Sequence, residues 1–313
     1  GILRLAIVNV KTAGAGQTVY SSNEGATPPA LEIITADRLE WNPDPASLGD
    51  LDDAGNWTNV SGGSDHAPTE YDYAYFTGKN NGQVVTGSLT AANVYIGRTF
   101  KGIIGSAASF ITVTADNVLY ASPYAECYLD INDGRSIDGV VRVTNSNEQA
   151  DTVQFNGETV FRLINTQAPV KIKGGNVTAI ECHSAKASFT CEGNVESVNI
   201  TGGGCRLQDG AGTIYAVDAS MLIENDTNDD TDITQSGGFI RLLADQSGDI
   251  IVYGGTLSVR GNEGAPIVID NLTLYRDALA DLRTKSNTLE PANPIQMYGG
   301  RLLLDGNVDA TIA

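Results

Sequence analysis

The stretch "IIVYGGTLSVRG", residues 250–261, joins two short alternating β-forming runs through a glycine pair, and the same design returns at "VKIKGGNVTAIE", "VNITGGGCRLQ", "ITQSGGFIRLL" and "IQMYGGRLLLDG". Glycine takes a positive φ at no steric cost, which a tight corner between two strands demands. The corners fall at Gly174 and Gly175, Gly202 and Gly203, Gly237 and Gly238, Gly254 and Gly255, and Gly299 and Gly300. Their first glycines stand 28, 35, 17 and 45 residues apart, too irregular for a fixed-period repeat. Irregular spacing suits a parallel β-helix, a β-solenoid whose coils share strand positions while carrying loops of different length. The expected class is all-β, a parallel β-helix with an irregular N-terminal segment. A large β-sandwich uses the same turn residues and stands as the alternative.

The strand rhythm is tightest after residue 138, where "GVVRVTN", "DTVQFNG", "TVFRLINT" and "ASFTCEG" give runs of four to six residues. Alternation such as Val170 and Ile172 against Lys171 and Lys173 places one face in a core and the other in solvent. One segment reads as a helix, "YRDALADLRTKS", with Leu279 and Leu282 on one face. The chain divides on this reading into a β-rich attachment or assembly region over 1–110 and a solenoid body over 111–313.

Lysine and arginine number 19 against 38 acidic residues, and the net charge of −19 repels polyanions such as nucleic acid and anionic lipid. No apolar run approaches the roughly 20 residues of a spanning helix. At the N-terminus only "LAIV" is continuously apolar, short for a secretory signal core, so none is expected. Cys127, Cys182, Cys191 and Cys205 show no CxxC spacing and sit in strand-like contexts, which favours buried thiols over zinc ligands or a disulfide framework.

Catalytic constellations are sparse. His66 and His183 lie in unrelated contexts, and no GxSxG elbow, HExxH helix or phosphate loop is present, so no catalytic residue and no cofactor is nominated. A glycosidase needs only two carboxylates at the right separation, which sequence does not reveal among 38 acids. In "ENDTNDDTDI", Asp226, Asn228, Asp230 and Asp232 alternate as in a calcium loop, yet Thr231 stands where the loop glycine belongs and Gly237 where its glutamate belongs. A solvated loop is the better reading. Trp57, Tyr71, Tyr73 and Tyr75 are candidate interface residues; the alternating tyrosines equally fit a strand packed on its neighbour.

The order of Asn56-Trp57, Pro68, "YDYAYF" at 71–76 and "NVYIGRTFKGIIG" at 93–105 resembles β-solenoid structural proteins of tailed bacteriophages. The likeness covers about residues 50–110. It implies a non-enzymatic virion component on the outer surface of the particle: a capsid decoration protein bound to the major capsid protein, assembled as a homotrimer. A fibre or tailspike that binds or cleaves host-surface glycan is the alternative it leaves open, and a bacterial surface adhesin is a second. Partners on this reading are virion proteins, with surface glycan possible and neither nucleic acid nor membrane.

Overall fold

A computed structural model of the chain describes residues 36–43, 49–78, 84–122, 125–132, 140–143, 153–157, 160–163, 169–172, 177–183, 188–193, 195–208, 211–224, 231–243, 246–260, 267–283, 289–305 and 311–313. The described residues form one unit within Ala36–Ala313. Its first strands are β1 (Arg38–Trp41), β2 (Trp57–Asn59), β3 (Tyr73–Phe76), β4 (Val84–Val85), β5 (Ser88–Ile96), β6 (Ile103–Ile104), β7 (Ile111–Tyr120) and β8 (Glu126–Asn132). There follow β9 (Val140–Val143), β10 (Val153–Gly157), β11 (Val160–Leu163), β12 (Pro169–Ile172), β13 (Val177–Cys182), β14 (Ser188–Cys191), β15 (Val195–Ile200) and β16 (Gly204–Leu207). The last are β17 (Ala211–Ala216), β18 (Ser220–Ile223), β19 (Asp232–Gln235), β20 (Phe239–Leu242), β21 (Gln246–Val259), β22 (Ile267–Asp281), β23 (Leu289–Pro291), β24 (Gln296–Met297) and β25 (Arg301–Leu303).

From β3 to β19 each strand pairs in parallel with the strand two places on, so odd and even strands build two ladders that run side by side, and both ladders continue into the long strands β21 and β22. This is the β-solenoid. Beyond β3, coil length varies with the loops, from 16 residues (Val195 to Ala211) to 26 (Cys127 to Val153). Register holds regardless, because each coil must drop its apolar residues on those of the coil before. One inward row runs Ile180, Val198, Ile214, Ile233, Ile250, Leu272. Another runs Ile172, Cys191, Leu207, Ile223, Leu242, Val259. All are buried, and burying one such large aliphatic contributes roughly 1.5–3 kcal/mol.

The glycine pairs do sit at the corner between the two ladders. Gly203, Gly238, Gly255 and Gly300 have φ of 82°, 71°, 83° and 80°. In the intervening coil the corner is turned by Asp218 at φ 51°, the non-glycine residue with positive φ among those described. Gly174 and Gly175 lie outside the described residues. Gln235 is buried beneath a corner, and its amide Nε2 donates to the carbonyls of Gly237, Gly238 and Thr256.

Two expectations change. Residues 275–281 of the segment read as a helix are the end of β22, with Ala278, Ala280 and the following Leu282 buried in period two, β21 and β25 pairing on either side; residues 284–286 lie outside the described residues. Strands are also not uniformly short: β21 and β22, of 14 and 15 residues, run through the corner, with a bulge between Val252 and Gly254. As for the division at 110, the parallel ladder passes that point unbroken, β5 pairing with β7 and β7 with β9.

Candidate functional site

The N-terminal end of the stack is closed by aromatic packing. Trp41 and Trp57 meet edge to face at 5.1 Å, Phe76 touches both, and Phe100 lies 5.4 Å from Phe76. Trp57 is 1% exposed, and its indole N–H donates to the Leu51 carbonyl. Its side chain is core and is not available to a partner. Short β2 pairs antiparallel with β1 and so covers the sheet edge. Of the tyrosines expected at an interface, Tyr71 and Tyr73 are 44% and 40% exposed, whereas Tyr75 packs on Tyr95 beneath the Arg38 guanidinium.

Beside this end Asp37, His66 and Asp72 bring ligand-type atoms within 4.8 Å of one another. Asp72, buried, accepts from the Asp37 N–H with one oxygen, and from the Thr69 N–H and hydroxyl with the other. His66 donates from Nδ1 to the Ala67 carbonyl at 2.8 Å, and its Nε2 stands 3.2 Å from Asp37 Oδ2. With Nδ1 committed as a donor, Nε2 suits a carboxylate neighbour only when it too carries a proton. The imidazole pKa is accordingly raised, first by the Ala67 bond, with burial opposing and Asp37 and Asp72 assisting. Both imidazole nitrogens and both Asp72 oxygens are engaged, so the trio works as a clamp on the segment between β2 and β3.

Of the calcium-loop candidates, Asp226, Asn228 and Asp230 lie outside the described residues. Asp232 opens β19, and its carboxylate accepts from the Asp249 N–H at 2.9 Å. It heads an exposed rung-to-rung ladder in which Asn271 donates to Asp249 and Asn293 to Asn271. No disulfide joins the four cysteines, which are all buried, as expected, and burial pushes the Cys205 thiol well up. His183 is exposed, 3.3 Å from the Thr201 hydroxyl.

The even-numbered ladder presents a second surface. An outward row runs Lys171, Thr190, Arg206, Leu222 and Arg241. Beside it run Gly204, Ser220, Phe239 and Thr256. Because Gly204 and Ser220 are small, the rows enclose an open trough of about 520 Å³, walled by Arg206, Leu222, Phe239 and Arg241. Strands β10, β12, β14, β16, β18 and β20 contain no aspartate or glutamate. Arg206 shares its charge with Glu224 at 2.8 Å, while Arg241 lies over the Phe239 ring with its centroid 5.6 Å away. Sequence reading missed this row. The signal was there: Arg206 and Arg241 each stand three residues after the second glycine of a corner pair.

No family model, curated protein or solved structure matches this chain.

Proposed function

We propose that this chain is a non-enzymatic structural protein of a tailed-phage virion, a decoration protein bound to the major capsid protein on the outer shell as a homotrimer. The supporting observation is the parallel stack itself, continuous from β3 to β25 across coils of unequal length. A stack of that kind is stiff, because each coil is held by two neighbours along two ladders. Stiffness with a net charge of −19 suits a projecting body that must stay soluble and clear of the packaged genome. Trimeric symmetry would multiply weak contacts to a shell. Exposed Tyr71 and Tyr73 beside the closed N-terminal end are the contacts this reading assigns to the shell or to sister subunits.

The deciding measurement is copy number relative to the major shell protein in purified particles. Hundreds of copies per particle are expected. A few tens would move the chain to a tail or vertex, and its absence from particles would overturn the virion assignment.

A further inference from the structure

We infer that the even-numbered ladder binds a linear acidic glycan carrying one carboxylate per disaccharide, laid along the solenoid axis with its charges on Lys171, Arg206 and Arg241. These three cations occupy alternate coils of a single row, with Thr190 and Leu222 on the rungs between. Neighbouring parallel strands lie about 4.8 Å apart, so the cations repeat every ~10 Å along the axis. That period matches a charge on every second sugar. It does not match the much denser phosphates of nucleic acid.

Local charge favours the same ligand. The chain has two acidic residues for each basic one, yet six consecutive strands of this ladder carry no carboxylate. Among the described residues no carboxylate pairs with Lys171 or Arg241. Arg206, held by Glu224, has its planar head fixed and keeps further N–H donors for a second anion. The trough supplies what a sugar needs besides charge: the Thr190 and Ser220 hydroxyls and the partly exposed Phe239 ring for a pyranose face. An acidic peptide fits less well, since extended peptides bind by adding to a free sheet edge and these strands are paired on both sides. The site stands apart from the question of where the chain sits on a particle.

The test is titration of the full chain with a hyaluronan octasaccharide, which has one carboxylate per disaccharide. Polygalacturonate, with one on every sugar, neutral dextran and a single-stranded oligonucleotide serve as comparators. Saturable hyaluronan binding that weakens with added salt is expected. Arg241→Gln should weaken it at least tenfold, and combining it with Lys171→Gln and Arg206→Gln should abolish it. Arg260→Gln, which lies off this row beside Asp281, should leave it unchanged. These side chains project outward, so circular dichroism of each variant should stay that of the parent. No hyaluronan binding, or equal binding by the triple variant, overturns the site. Equal binding of all the polyanions overturns the spacing that defines it.

Discussion

Single residues carry the corners and the clamp. A Cβ on Gly238, where φ is 71°, would fall 2.5 Å from the Ala219 amide nitrogen and 2.8 Å from the Asp218 carbonyl carbon, both backbone of the preceding coil. Gly62 has an equally unfavourable φ of 98° but nothing within 4 Å of the added atom. Gly62→Ala should therefore cost only the left-handed conformation, about 1–2 kcal/mol, and Gly238→Ala about 3 kcal/mol or more, a ranking that thermal denaturation checks. His66 offers a pH handle with a definite sign. Its folded pKa lies above 6.5, so the stability it contributes is complete below pH 6.5 and is lost as pH rises through the folded value. In NMR titration His66 should protonate above 6.5, and Asp37→Asn should lower that value. A pKa at or below 6.5 would mean that the clamp does not hold the proton.

At the scale of elements, side-chain ladders join coil to coil. Tyr253, Tyr275 and Tyr298 stack at 4.7 and 5.3 Å with their planes about 20° apart or less. Each aromatic pair contributes about 0.5–1.5 kcal/mol beyond its buried area. Tyr275→Ala removes two pairs and Tyr298→Ala one, so the central substitution should lower the melting temperature about twice as much; equal effects would show that the rings pack independently. These elements were unevenly legible. Glycine pairs betrayed the corners because positive φ leaves few other choices, and bulky alternation such as Val170 and Ile172 betrayed the inward face. The end of β22 hid its alternation because two of its inward residues, Ala278 and Ala280, are too small to stand out, while Leu279 and Leu282 suggested a helical stripe. Trp57 was misplaced for a related reason: a large aromatic near tyrosines reads as surface or core until its neighbours Trp41 and Phe76, 16 and 19 residues away, are brought against it. The cation row was hidden more deeply. Its cations stand 35 residues apart, two coils of 19 and 16 residues in one interval and of 16 and 19 in the next, and only the parallel register shows that this separation puts them in line.

For the whole molecule, the stack makes stability a nearest-neighbour property. Each coil in such a solenoid is held by the coils beside it, so an end frays before the middle unless it is closed. Here the N-terminal end is closed by Trp41, Trp57, Phe76 and Phe100 and by the antiparallel β2. Truncating Trp57 leaves a void at the terminal contact and exposes the indole's partner carbonyl at Leu51, a change that costs about 3–5 kcal/mol in a packed core. Because that cost falls on the first coils, it should appear locally. In Trp57→Ala, amide hydrogen exchange should accelerate in β1, β3 and β5, while β17, β18 and β20, many coils away, keep their protection. Trp57→Phe, smaller than Trp but still an aromatic ring beside Trp41 and Phe76, loses the indole N–H bond and should restore most of the protection in β3 and β5. Uniform acceleration along the chain would mean that the coils unfold as a single cooperative body, and that the aromatic end stabilises the whole solenoid through global coupling rather than by holding its first turns.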